Sequence, residues 1–130
     1  MIVAIDGPAG SGKSSVSKEV ARRCDFTFLD TGAMYRCVTL ACLDRGVDLH
    51  DEEAVAQVAR RVSIAFGTAG DGSQTVSIDG ADVTADIRAA RIDQNVSVVA
   101  AQPRVRERMV SLQREMGARG DVIAEGRDVG

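Results

Sequence analysis

The residues Gly7-Pro8-Ala9-Gly10-Ser11-Gly12-Lys13-Ser14 stand behind the apolar run Ile2–Ile5 and ahead of Val16, Val20 and Cys24, which recur at i, i+4 and i+8. They spell G-x-x-x-x-G-K-[ST] in full, in the order strand, glycine loop, helix that a phosphate-binding loop requires. With 13 glycines in 130 residues and lysine only at Lys13 and Lys18, chance gives this pattern in roughly two chains in a thousand of such composition. Each letter has a physical reason. Glycines admit the backbone conformations that aim successive N–H groups into one concavity, and the helix N-terminus adds its dipole. Lys13 is a slender point charge for the β- and γ-phosphates, and the Ser14 hydroxyl is a hard oxygen ligand for Mg²⁺. Arginine fills 14 of the 16 basic positions, so lysine at the one place where a planar guanidinium would not fit adds weight to the reading.

Two other nucleotide classes fail on the same residues. The stretch Gly10-Ser11-Gly12-Lys13-Ser14-Ser15 lacks the third glycine of a dinucleotide fingerprint. Asn95, the only asparagine, precedes Val96 rather than the lysine of a guanine-reading N-K-x-D. An ATPase or an ATP-dependent phosphotransferase is left, with Mg²⁺ as its cofactor.

Beyond the loop, the pattern is of the α/β class. Phe26–Leu29 is a second apolar run, expected to lie beside the first strand in parallel through a right-handed crossover. Asp30-Thr31-Gly32 ends it and opens a helix with Met34, Val38 and Ala41 or Cys42 inward, stopping at Gly46. Asp51-Glu52-Glu53 suits a helix N-terminus, followed by a stripe of Val55, Val58, Ala59 and Val62. Val62–Phe66 and Thr75–Ile78 flank a glycine-rich loop and predict a hairpin, with Asp79-Gly80 as a further turn. This β-rich stretch, residues 62–84, reads as an insertion into the alternating pattern. Ile92, Val96 and Val99 mark a helix, and Pro103 opens another carrying Val105, Met109, Leu112 and Met116, ended by Gly117 and Gly120. Val122–Ala124 is a buried strand running into Glu125-Gly126-Arg127-Asp128-Val129-Gly130. Three segments follow: 1–46, the core with the phosphate loop; 47–102, with the β insertion; and 103–130, a return to the core.

Composition excludes several functions. At 45% apolar and 27% charged residues the chain can fold, and no apolar stretch approaches the roughly 18 residues of a spanning helix. Met1–Ile5 is too short for the apolar region of a signal peptide. A net charge of −3 with 3% aromatic residues disfavours a nucleic-acid polymer as partner. Cys24, Cys37 and Cys42 are odd in number and lack a CxxC spacing, so reduced core thiols in a cytoplasmic protein are expected. His50 carries no signal.

Passing a phosphoryl group to an anionic acceptor needs converging cations, because two unit charges 4 Å apart repel by about 4 kcal/mol at an effective dielectric of 20. Arg36, Arg106 and Arg127 each follow a segment expected to end near the carboxyl edge of the sheet, where such folds bind ligands.

Four segments together resemble bacterial cytidylate kinases: Gly7–Ser15 (GPAGSGKSS), Leu29–Arg36 (LDTGAMYR), Asn95–Ala101 with the following Pro103-Arg104-Val105-Arg106-Glu107, and Ala124–Gly130 (AEGRDVG). The resemblance runs in order over all 130 residues. It implies a P-loop NTPase fold of the nucleoside monophosphate kinase type: a parallel sheet with flanking helices and a small β-rich insertion in the monophosphate-binding region, here within 47–102. It implies ATP-dependent phosphorylation of CMP, and of dCMP, to the diphosphate in pyrimidine nucleotide metabolism. Gly7, Pro8, Ala9, Gly10, Ser11, Gly12, Lys13, Ser14 and Ser15 would hold the ATP phosphates, with Ser14 on Mg²⁺. Lys13 and Arg127 would be catalytic. Thr31, Arg36 and Arg127 would hold the CMP phosphate, while Ser97, Arg106 and Asp128 would read the cytosine edge. The residue chemistry agrees, since cytosine presents an N4 amino donor and an unprotonated N3 acceptor. Tyr35 would pack on the base or, as favoured, in the core, and Glu125 would organise Mg²⁺ through water or be only a strand-end carboxylate. A monomer is expected.

Family members exceed two hundred residues, so the resemblance implies that a mobile lid with phosphate-clamping arginines and the adenine contacts lie beyond residue 130, and that this portion alone turns over poorly. Two other readings stay open on the residues: another small-molecule P-loop kinase, and a nucleotide-binding fragment without catalysis.

Overall fold

The computed structural model describes the backbone of residues 2–5, 27–119 and 122–125, and the side chains of residues 30–118. Residues 6–26, where the sequence predicts the phosphate loop and a helix, and the last five residues lie outside the described residues. The chain divides into two compact units, one of residues 1–32 and 110–130, the other of residues 33–109.

In the first unit, β1 (Ile2–Ile5), β2 (Thr27–Asp30) and β6 (Val122–Glu125) form a parallel sheet in the order β1-β6-β2. The expected direct pairing of the first two strands is therefore corrected: β6 pairs with both, Ala4 and Leu29 lying opposite Ala124. The physical reason is that a crossover leaves room for a strand between the two that it joins, and the apolar Val122-Ile123-Ala124 run has the composition of a central parallel strand. The second strand runs to Asp30, one residue beyond the expected end at Leu29. In register, Ile5 and Asp30 both lie opposite Glu125, so the three strands reach their carboxyl ends level.

Helix α1 (Thr31–Asp44) starts without an intervening loop at the end of β2 and is buried on more than one side. Met34, Cys37, Val38, Thr39 and Cys42 are fully buried, a wider face than the single expected stripe. Thr39 satisfies its hydroxyl by donating to the Tyr35 carbonyl, 2.9 Å away, as a buried hydroxyl in a helix must. The chain leaves the helix through Gly46 at φ +70°, a conformation that glycine adopts without penalty. Burial pushes the Cys42 thiol up to about 11, against the opposing influence of Arg45, so it is a protonated packing group at neutral pH. Neither Cys37 nor Cys42 is disulfide-bonded.

Helix α2 (Glu52–Arg61) follows helix chemistry closely. Asp51 caps it by accepting from the Ala54 N–H at 3.2 Å, Glu52 and Glu53 lie in the first turn, and Arg60 and Arg61 in the last. Val55, Ala56, Val58 and Ala59 are its buried face.

The β-rich stretch, expected as an insertion, is a second, antiparallel sheet of β3 (Ile64–Thr68), β4 (Gln74–Ile78) and the short β5 (Ala81–Asp82), in that order. Asp79 and Gly80 join β4 to β5 with φ of 51° and 85° while Ile78 pairs with Ala81, the two-residue hairpin in which both central residues are left-handed. Asp79 tolerates this and ties the turn back to β3: its Oδ1 accepts from the Ser63 N–H at 2.8 Å, and its own N–H donates to the Ser63 carbonyl at 2.8 Å. Gly80→Ala puts a Cβ into the left-handed region, which costs about 1–2 kcal/mol. A lowered melting temperature with unaltered nucleotide affinity is the expected outcome, and an unchanged melting temperature would contradict this account of the turn.

Helices α3 (Ala90–Asp93) and α4 (Val96–Ala100) replace the single expected helix over Ile92–Val99. Asn95 breaks it, with ψ −16° at φ −121° and its Nδ2 donating to the Arg91 carbonyl at 2.7 Å, a local bond that competes with helical continuation. Helix α5 (Pro103–Arg119) opens at proline as expected, with Val105, Met109 and Leu112 buried. It runs through Gly117 rather than stopping there. The roughly 1 kcal/mol that glycine costs inside a helix is small against the burial of this segment.

Candidate functional site

The carboxyl ends of β1, β6 and β2 are the natural origin of a site, since each is followed in sequence by one of the singled-out segments. Of those segments, the one after β2 is described. Thr31 is the first residue of α1 and is 5% exposed; Gly32 beside it is exposed, and a Cβ there would lie 3.3 Å from the Asp30 Oδ1. A strand end that passes directly into a helix N-terminus places backbone N–H groups without intrahelical acceptors at this edge. Gly7, Pro8, Ala9, Gly10, Ser11, Gly12, Lys13, Ser14 and Ser15, together with Arg127 and Asp128, lie outside the described residues.

The other singled-out residues belong to the second unit. Arg36, in the second turn of α1, is half-buried, its side chain 31% exposed. Its Nη1 donates to the Asp93 Oδ1 at 2.5 Å and to the Ile87 carbonyl at 2.9 Å. Tyr35, expected in the core, is half-buried. Ser97 is exposed in the first turn of α4, and Arg106 is exposed in the first turns of α5.

Two side chains that the sequence reading did not single out fix the start of α5 and therefore the place of Arg106. Gln102, 6% exposed, donates through Nε2 to the Leu49 carbonyl at 2.7 Å. Arg108 donates through Nε to the Ala59 carbonyl at 3.2 Å, in the last turn of α2. Arg106 lies between these two anchors, and its own N–H donates to the Gln102 carbonyl at 3.1 Å. No periodicity signals such bonds, because they join side chains to backbone carbonyls 53 and 49 residues away. Asp93 was missed for the same reason, its partner being 57 residues distant. Two other ion pairs among the described residues, Arg91 with Asp44 at 3.0 Å and Arg45 with Asp79 at 3.8 Å, are solvent-exposed and worth little each.

Among the described residues no cluster of His, Cys, Asp or Glu is arranged to hold a metal ion, and no helix is long and apolar enough to cross a membrane. Of the arginines singled out in the sequence, Arg36 and Arg106 are described: the guanidinium fork of Arg36 suits an anion, and Arg106, exposed on an anchored helix, suits a hydrogen-bond acceptor.

The sequence profile of the family described as Cytidylate kinase matches residues 3–130. The chain is 52% identical to the cytidylate kinase of Limosilactobacillus fermentum (strain NBRC 3956 / LMG 18251) over 128 residues, which cover 98% of this chain and 56% of that protein. It is 47% identical to the cytidylate kinase of Bacillus subtilis (strain 168), covering 98% of this chain and 57% of the relative. It is 48% identical to the bifunctional pantoate ligase/cytidylate kinase of Trichodesmium erythraeum (strain IMS101), covering 99% of this chain and 24% of that protein. The chain thus spans a little over half the length of the single-function relatives it matches.

Proposed function

We propose a function for this chain, which belongs to the cytidylate kinase family: it binds ATP and CMP, with dCMP as a second acceptor, and transfers the γ-phosphoryl group to the acceptor phosphate. The observation that carries the proposal is the complete G-x-x-x-x-G-K-S sequence directly after β1, a strand of a parallel sheet whose carboxyl ends are level. The whole then has the P-loop fold of nucleoside monophosphate kinases. Residues 1–46 and 103–130 contribute its core, and 47–102 its monophosphate-binding region with the antiparallel sheet as the insertion.

In this reading the backbone N–H groups of Gly7–Ser15 receive the ATP phosphates, and Lys13 follows the charge on the β- and γ-oxygens as it develops. Ser14 and, through water, Glu125 offer hard oxygen donors that would hold Mg²⁺, which would supply neutralisation of the phosphate charge. Thr31, Arg36 and Arg127 hold the CMP phosphate, and Arg127 also stabilises the group in flight. An oxygen of the CMP phosphate attacks the γ-phosphorus in line, the bond to the β,γ-bridging oxygen breaks, and ADP and CDP result, with no covalent enzyme intermediate. Asp128 and Ser97 accept from the cytosine N4 amino group, and Arg106 donates to N3. Uracil reverses both polarities, and each group left unpaired against the bound base costs about 1–3 kcal/mol, which is the scale expected for rejection of UMP.

The test is product analysis with labelled ATP, Mg²⁺ and equal concentrations of CMP, UMP, AMP and GMP. Label transferred to CDP in excess over every other diphosphate supports the proposal. Transfer to a different acceptor, or ATP hydrolysis indifferent to CMP, would refute it.

A further inference from the structure

Arg36 is held at one end only. A guanidinium has five N–H donors, two of them on Nη1, and those two face the Asp93 carboxylate and the Ile87 carbonyl. The three donors on Nε and Nη2 have no partner among the described residues. They include the parallel N–H pair of the Nε–Nη2 edge, the fork that matches two oxygens of a phosphate.

We propose that Asp93 is a positioning residue for the acceptor phosphate: with the Ile87 carbonyl it anchors Nη1 of Arg36, so that the Nε–Nη2 edge is presented to the phosphate monoester. The proposal rests on the reading of Arg36 as a phosphate ligand given above. Its anchors come from one short stretch, the turn at Asp86–Arg88 and α3. That stretch is itself fixed by Ile87, 4% exposed, and Ile92, fully buried. The anchoring points therefore do not follow the arginine when it moves. Ile87 acts through its backbone, which leaves Asp93 as the part of the anchor that substitution can remove.

Asp93 also carries a negative charge, which taken alone would oppose a phosphate. Its side chain is 56% exposed, however, so water and salt screen that charge, whereas a hydrogen bond to Nη1 acts at contact. Orientation outweighs repulsion here, and the two effects have opposite signatures in substitution. Asn at position 93 keeps an oxygen that accepts from Nη1 and loses the charge; Ala loses both.

The experiment is calorimetric titration of CMP and UMP into the wild-type chain, Asp93→Ala, Asp93→Asn, Arg36→Ala and the Arg36→Ala/Asp93→Ala double variant, with melting temperatures alongside. Asp93→Ala is expected to weaken CMP about three- to tenfold, the cost of ordering one long side chain on binding. Asp93→Asn recovers most of that loss, and Asp93→Ala adds nothing once Arg36 is gone. Tighter CMP binding by both Asp93 variants would overturn the proposal in favour of charge competition. An equal loss in Asn and Ala, no change in either, or a loss that persists without Arg36 would also overturn it. Equal binding of CMP and UMP by the wild type, with the Asp93 pattern intact for both, would refute the cytosine reading and leave the positioning role standing. A folded wild type that binds neither nucleotide would refute both.

Discussion

Lys13→Ala is expected to lower phosphoryl transfer by about 10²–10³-fold, roughly 3–4 kcal/mol of transition-state stabilisation, by analogy with removal of one preorganised donor from a site of developing charge. The phosphoryl group in flight spreads charge over its oxygens, and a lysine on a flexible stem can follow that charge from ground state to transition state. The effect should fall mainly on kcat, because backbone N–H groups of the glycine loop continue to hold the ground-state phosphates. Melting temperature should stay near the wild-type value. Arginine at this position should not restore activity if the proposed loop holds the phosphates, since a planar guanidinium does not replace a slender point charge. Retention of more than a tenth of the wild-type kcat by Lys13→Ala would show that the loop binds ATP without acting on it.

The largest expected loss of stability belongs to Met109→Ala. Met109 is fully buried in the long helix that also carries Arg106. Removing its side chain leaves a cavity whose cost, with the lost burial, is about 2–5 kcal/mol. That is a large part of the 5–15 kcal/mol by which a domain of ordinary size is stable. Chemical denaturation should show a lower midpoint at unchanged slope. A loss below about 1 kcal/mol would mean that the helix repacks freely, which the anchors from Gln102 and Arg108 argue against.

What could be read from the sequence was what is local. The helix after Asp51 is written in its cap, its acidic first turn and its valine spacing, and the hairpins are written in Asp79-Gly80 and in the glycines between Phe66 and Gln74. Strand order was not local. Nothing in Ile2–Ile5 or Thr27–Asp30 announces that a strand some ninety residues later separates them, because parallel pairing is chosen by burial over the whole sheet. The break at Asn95 was legible in principle, since asparagine is a poor interior helix residue, but the apolar spacing of Ile92, Val96 and Val99 concealed it. For the site, residue types and motif spacing named Arg36 and Arg106, yet what steadies them was invisible. The Asp93 and Ile87 anchor of Arg36, and the carbonyl bonds of Gln102 and Arg108 beside Arg106, join residues about fifty positions apart.

If these residues make a site for a cytosine nucleotide, calorimetric titration of the chain with CMP and, in parallel, UMP will show it. Binding rather than turnover is the right quantity, since it reports on the acceptor site without requiring the rest of the catalytic cycle. Saturable CMP binding at least tenfold tighter than UMP, about 1.4 kcal/mol, is the expected result. Equal affinity for the two, or no binding by a folded sample, would contradict the account.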